Sequence, residues 1–187
     1  VLYAIVRRNQ PAPFIEVGSG HSTKIARQAI IDGGLKTRLI SIDPTPRLAV
    51  NELADEVYPK AVETLGNTEM FSSLKSGDVL FIDSSHEIKT GNDVVFLYLN
   101  AIPALCPGVL IHIHDIFLPY EYPREWVMEK QWGFSEQYLV QSLLAFGETF
   151  EVLWAGYYIQ RTRPDFEQYF PRLHGRRAQS LWLRKTK

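Results

Sequence analysis

Short apolar runs alternate along this chain with segments whose apolar positions recur at helical spacing, the pattern of a mostly parallel sheet covered by helices on both faces. A helix over residues 1–8 stops before Pro11 and Pro13, and a strand over 14–17 runs into Gly18-Ser19-Gly20 and a helix over 22–32. The second strand, 38–43, is closed by Pro44 and Pro46; a helix over 46–56 then leads to a short strand over 58–62. A strong strand over 78–83 is apolar, β-branched and aromatic. It is followed by a helix over 90–104, a stop at Pro107-Gly108, and a strand over 109–114 that ends at Asp115. Residues 117–132, with Pro119, Pro123, Tyr120, Tyr122, Trp126 and Trp132, read as a long aromatic loop of the kind that carries function at a sheet end. A helix over 135–146 has Ser135 as N-cap. Two last strands, 150–159 and 178–184, are joined by an arginine-rich loop. The expected architecture is α/β, with a seven-stranded sheet in a single domain over residues 1–187. The chain begins at Val1 inside a helical pattern, so a preceding segment is expected.

Composition narrows the partners. Twenty Lys and Arg against 21 Asp and Glu give a formal net charge of −1, which excludes a broad phosphate-tracking surface for nucleic acid and points to a small partner. No apolar stretch approaches the ~20 residues that span a bilayer. The single cysteine, Cys106, has no partner in the chain and suits a reducing, cytoplasmic setting. The balance is uneven along the chain. From Arg161 to Lys187, eight basic residues face two acids, a local +6 against a remainder of −7. That stretch is either a solvated loop or a lid for an anionic acceptor.

Gly18-Ser19-Gly20, between a strand and a helix, offers backbone N–H groups with no Cβ in the way, at a helix end that favours negative charge. Asp43 closes the next strand, where a carboxylate can accept from both hydroxyls of a ribose. Together they describe an adenosine site. A dinucleotide fold would place a third glycine where Thr23 stands, and Glu16 puts an anion beside the ligand that suits an ammonium better than a diphosphate. Neighbouring parallel strands also deliver Asp83-Ser84-Ser85-His86 and His112-Ile113-His114-Asp115 to the same carboxyl edge. His112 and His114, two apart, point to one face of their strand and Ile113 to the other; His112 reads as a packed strand residue. A hydroxyl that reacts as a nucleophile must lose its proton as it does so. A histidine titrating near neutrality is suited to that task, and a carboxylate-bound divalent cation is another route.

Glu16-Val17-Gly18-Ser19-Gly20 resembles the first motif of the class I S-adenosylmethionine-dependent methyltransferases, a Rossmann-like fold. The resemblance implies S-adenosylmethionine as cofactor, with Glu16, Gly18, Ser19 and Gly20 near its methionine part, Ser22 and Thr23 nearby, and Asp43 on the ribose. The pieces Phe-Ile-Asp-Ser-Ser-His, Leu-x-Pro-Gly-Val-Leu and His-Asp-Ile-Phe between Asp78 and Tyr122 are similar to the small-molecule and sugar O-methyltransferases related to macrolide-sugar enzymes and cephalosporin-hydroxylase-like proteins. Glu136-Gln137-Tyr138-Leu139 and Leu181 to Arg184 fit the same group. In its metal-dependent members the Asp-x-x-His motif implies a metal-binding carboxylate, here Asp83, and a general base, here His86. A Glu-Asp pair completes their Mg²⁺ site, and this chain has His114-Asp115 there, so one carboxylate is missing. The expected site is thus His86, Asp83 and Asp115 for catalysis, Asp83 also beside the cofactor, and Asp83, His114 and Asp115 around any metal. The expected partners are a small hydroxylated acceptor, sugar-containing or anionic, and a second copy of the chain. An NAD-type oxidoreductase and a non-catalytic methyltransferase-like module remain the rival readings.

Overall fold

The computed structural model describes residues 1–46, 48–173 and 175–187, with the side chains at 48, 49, 51 and 172 excepted. Its centre is a seven-stranded sheet of order β3-β2-β1-β4-β5-β7-β6. The strands are β1 (Pro13–Val17), β2 (Arg38–Ile42), β3 (Glu56–Tyr58), β4 (Val79–Ile82), β5 (Leu110–Ile113), β6 (Phe150–Ala155) and β7 (Leu181–Lys185). β1 to β5 pair in parallel, and β7 enters antiparallel between β5 and β6. The sheet is the mostly parallel one expected. Around it lie α1 (Leu2–Asn9), α2 (His21–Gly33), α3 (Leu48–Leu53), α4 (Glu69–Ser72), α5 (Asp93–Phe96), α6 (Ile102–Ala104), α7 (Arg124–Met128), α8 (Glu136–Ala145), α9 (Gly156–Thr162) and α10 (Phe166–Tyr169).

The period-two alternation of strand side chains divides the core in two. Phe14, Leu39, Val79, Phe81, Leu110 and Trp182 face α1 and α2 through Val6, Ala26, Ala29 and Ile30. Ile15, Ile40, Leu80, Ile82, Ile111 and Leu183 face the other way, onto Val94, Leu97, Tyr98, Ala101 and Val140. Strands covered on both faces read as unbroken apolar runs, and all four residues of β4 are buried.

Several elements differ from expectation for local reasons. The third strand lies over Glu56–Tyr58, because Pro59 has no N–H to continue the ladder, and Val62–Leu65 forms a 3-10 turn. The helix expected over 46–56 is seen over Leu48–Leu53, and Arg47 lies outside the described residues. The helix expected over 90–104 starts at Asp93, where the Asn92 side chain accepts the Val95 N–H, and passes through a π-helical turn over Leu97–Ala101 into α6. The wider turn accommodates Pro103, whose ring would meet the carbonyl four residues back in a regular helix. The strand expected over 150–159 ends at Ala155. Gly156 packs so closely that a Cβ would lie 3.0 Å from both the Ser180 carbonyl and Trp154 Nε1, and Tyr157 and Tyr158 become helical. The aromatic segment 117–132 contains α7 and forms a small core of its own, Phe117, Tyr122 and Trp126 packing with Phe134 and Tyr157. Ser135 is the α8 N-cap residue, yet its hydroxyl accepts from the Ile88 N–H instead of capping the helix.

Among the described residues no helix is long and apolar enough to cross a membrane. Trp182 is fully buried where β7 crosses the sheet, edge-on to Phe81 at 6.3 Å and against His112 at 4.9 Å. Trp182→Ala is expected to lower unfolding free energy by about 3–5 kcal/mol, read from the urea midpoint.

Candidate active site

The carboxyl ends of β1, β2, β4 and β5 meet at one edge, and Gly18 makes the approach possible. Its φ of +83° and its position leave no room for a side chain: a Cβ would come within 1.8 Å of the Asp83 carbonyl oxygen. The ends are laced together, Gly18 N–H donating to the Ile42 carbonyl and Asp83 N–H to that of Val17, both at 2.9 Å. The glycine loop then turns onto Asp43, whose Oδ2 accepts from Ser19 N–H at 2.9 Å and from Ser19 Oγ at 2.5 Å.

Two clefts open on this edge. One, of about 440 Å³, is lined by Gly18, Ser19, Ile42, Asp43, Pro44, Val62 and Asp83 to Ser85. The second, of about 750 Å³, lies between the α2 N-terminus and the segment after β6; Gly20, His21, Ser22, His112, His114, Trp154, Phe166, Phe170 and Arg177 help to line it. Ser19 and Asp83 belong to both. The first cleft has the chemistry an adenosine moiety needs: a carboxylate at the end of β2, apolar walls from Ile42, Pro44 and Val62, and the Ser84 hydroxyl, buried with no partner.

Of the residues expected around a cofactor, Gly18, Ser19, Asp43 and Asp83 line this cleft, and Gly20 and Ser22 line its neighbour. Glu16 and Thr23 line neither. Glu16 is fully buried beneath α2, where its Oε2 accepts from Thr23 Oγ1 at 2.5 Å, and Thr23 Oγ1 accepts the Gly20 N–H at 3.0 Å. Burial lifts the Glu16 carboxyl to about 7, against the pull of Ser22 and Thr23. Both side chains therefore shape the glycine loop from behind.

His86 is also placed differently from expectation. It adopts a left-handed φ of +61° and is 6% exposed, lining neither cleft. Its Nδ1 lies 2.8 Å from Glu136 Oε2, and its Nε2 lies 3.2 Å from Asp83 Oδ1 and 3.7 Å from Asp115 Oδ2. Phe134 covers the ring at 4.7 Å. The His86 carbonyl meanwhile accepts the N–H groups of Ser135 and Glu136, at 2.8 and 3.1 Å, so one residue docks α8 onto the β4 edge. Burial opposes the charge on this imidazole, but the bonds to Asp83 and Glu136 and the charges of Glu136 and Asp115 outweigh it and raise His86 to about 10. A shift in that direction favours the imidazolium, the form that holds a fixed charge rather than a free lone pair. Burial likewise opposes ionisation of Asp83, yet His86 and His114 hold it below the ordinary carboxylate range, while burial raises Asp115.

The expected metal site is not assembled. Among the described residues no three His, Cys, Asp or Glu side chains are grouped as ligands for an ion. The His86 imidazolium lies within reach of both Asp83 and Asp115, and His114 brings a nitrogen where Mg²⁺ favours oxygen. The donor set does not fit that ion.

On the same face of β5 as His114, His112 is 2% exposed and stacks on Phe81 at 3.9 Å. Burial above all pushes it well below the ordinary histidine range, which favours the neutral ring. Four of the eight basic residues of the C-terminal stretch are in ion pairs: Arg163 with Asp165, Arg177 with Glu125, Arg184 with Glu151 and Lys187 with Glu148. Lys185 donates to the Ile102 and Pro103 carbonyls, and the Arg172 side chain lies outside the described residues. No residue of the aromatic segment 117–132 lines either cleft. Glu136, which sequence reasoning did not place in the site, carried the signal of an acid in a helix's first turn and of the Glu136-Gln137-Tyr138-Leu139 resemblance, neither of which points at His86.

The fold is similar to solved methyltransferases. Methyltransferase PaMTH1 of Podospora anserina, solved with SAH bound, matches with a TM-score of 0.56 at 14% identity, over 100% of this chain and 76% of that one. The plantazolicin methyltransferase BpumL, solved in complex with SAH, matches with a TM-score of 0.53 at 13% identity, over 100% and 82%. No sequence match is found among curated proteins. The family described as "Methyltransferase domain" matches residues 15–116, which run from β1 through the glycine loop, Asp43 and Asp83 to just beyond Asp115. That span is more than half of the chain and contains the whole carboxyl edge, so the protein belongs to this family of class I, S-adenosylmethionine-dependent methyltransferases.

Proposed function

We propose that this methyltransferase takes its methyl group from S-adenosylmethionine and delivers it to a hydroxyl of a small molecule. The observation that carries the reading is the pair of clefts joined at Ser19 and Asp83. Bound in the 440 Å³ cleft, the cofactor would supply a methyl group on a sulfonium, a good leaving group. Asp43 and the Ser84 hydroxyl would hold its adenosine, and the Gly18-to-Ser22 turn its methionine part. The second cleft, at about 750 Å³, has the volume of a small-molecule site. Trp154, Phe166 and Phe170 offer faces for a flat or sugar-like ring. Arg177 at its wall is paired with Glu125 at 2.5 Å, which favours a neutral acceptor over an anionic one. A reducing, cytoplasmic setting fits the lone thiol of Cys106.

In this reading His86 is a positioning residue: its charge keeps Asp83 ionised beside the reacting groups and draws Asp115 and α8 inward. The carboxylate–imidazolium cluster presents fixed charge at the edge where the reacting groups would meet.

Calorimetry with S-adenosylhomocysteine tests the cofactor site. The wild-type chain is expected to bind it, Asp43→Ala to weaken binding about 10-fold or more through the lost charged hydrogen bonds, and Gly18→Ala to abolish it. Gly18→Ala should also lower stability by roughly 2–4 kcal/mol, because it adds a clash to a left-handed backbone. No binding by the folded wild-type protein would refute the assignment. A second expectation concerns pH. Since His86 is raised from 6.5 to about 10 on folding, its contribution to stability is complete below pH 6.5 and lost as the pH climbs to about 10. His86→Gln should flatten that part of the profile of urea midpoint against pH. The separate fall between pH 4.5 and about 7, where Glu16 ionises against its burial, should remain.

A further inference from the structure

The second cleft holds a different histidine from the one the motif singles out. β5 places His112 and His114 on the same face, and the two rings meet edge to edge, His112 Nε2 lying 3.3 Å from His114 Nδ1. Behind them, His112 Nδ1 lies 3.2 Å from Ser180 Oγ. In front, His114 Nε2 points past Asp115 Oδ1, 3.7 Å away, with the side chain about one-third exposed at the cleft wall that Asp83 shares. The four groups form a chain from the half-buried Ser180 hydroxyl, itself on the wall of the cleft, through the two rings to Asp115.

We propose that His114, held by His112 and Ser180, is the general base that takes the proton of the acceptor hydroxyl at its Nε2. The inference rests on the hydroxyl-methylation reading above. A neutral His112 has one N–H and one lone pair. With its N–H on Nδ1 toward Ser180, its Nε2 lone pair accepts the Nδ1–H of His114, and the His114 Nε2 lone pair is then turned to the cleft. Burial of His112 between Phe81 and Trp182 prevents it from sharing the charge, so a proton reaching the pair stays on His114. The product state is also satisfied. Protonated His114 donates through Nδ1 to His112 and carries its charge 3.7 Å from the Asp115 carboxylate, an ion-pair distance. As the acceptor oxygen forms its bond to the methyl carbon, the carbon–sulfur pair leaves with sulfur as a neutral thioether, and the hydroxyl proton passes to Nε2. The positive charge lost from the sulfonium reappears on His114. The titratable groups around this ring are Asp83 from the end of β4, His112 from β5 and Asp115, with His21 and Arg177 at the cleft.

The tautomers can be read directly. Two-bond proton–nitrogen spectra of ¹⁵N-labelled protein saturated with S-adenosylhomocysteine, recorded from pH 5.5 to 9.5 and assigned with His86→Gln, His112→Gln and His114→Gln, should show three different rings. His86 is expected as an imidazolium over most of the range, and His112 as a neutral ring protonated on Nδ1. His114 should be a neutral ring protonated on Nδ1 at high pH that becomes an imidazolium as the pH falls. A neutral His114 with its proton on Nε2, or one charged across the whole range, overturns the proposal even where the cofactor binds. Failure of S-adenosylhomocysteine to bind refutes the functional reading instead. With an acceptor identified by label transfer from S-adenosylmethionine, His114→Ala is expected to lower kcat about 10²–10⁴-fold, to lose the acidic limb of the pH–rate profile, and to regain turnover with added imidazole. Its affinity for S-adenosylhomocysteine should stay within about threefold of wild type. Retention of the limb in His114→Ala, with its loss in His86→Gln, would return the role to His86.

Discussion

The close approach of Gly18 to the Asp83 carbonyl is the contact on which the rest of the site depends. It lets β1 and β4 end side by side with nothing between them, and the ladder bonds of Gly18 to Ile42 and Asp83 to Val17 set the height of the whole edge. From that height the glycine loop reaches Asp43, and Asp83 looks into both clefts. Any side chain at position 18 would have to move strand backbone, which a packed sheet resists.

A second constraint links that edge to the opposite face. His86 ties Asp83, Asp115 and Glu136 together through its ring and holds the first turn of α8 through its carbonyl. Positive φ values at both His86 and Asp115 show what the backbone gives up to bring these groups inward. The division of labour follows from exposure. The histidine sealed among acids becomes a fixed cation, whereas the histidine at the cleft, backed by a neutral ring, keeps a proton-accepting role.

Much of the architecture was legible in the order of residues. β1, β2, β4 and β5 are buried on both faces and read as apolar runs, and the glycine turn, Asp43 and Asp83 lie where strand ends predict them. The departures come from contacts distant in sequence. Tyr157 and Tyr158 alternate like strand residues, but the tight packing of Gly156 on Ser180 turns the chain into a helix there. Glu16 matches a cofactor motif, yet one oxygen of its carboxylate accepts from Thr23 beneath α2 and the side chain lines neither cleft. His86 matches a catalytic motif, and only the position of Glu136, fifty residues on, decides its charge. A motif specifies which group stands at an edge; the elements packed behind it decide the group's protonation.

The pairing of the C-terminal cations has an electrical consequence. Arg163, Arg177, Arg184 and Lys187 each have an acidic partner within about 3 Å, so at distances beyond the ~10 Å screening length they act as short dipoles rather than as a positive field. An approaching ligand is then not drawn in from afar by its own charge. Capture at the second cleft depends on contact, and association should proceed at the ordinary rate of an unsteered encounter, nearly the same in dilute and in concentrated salt.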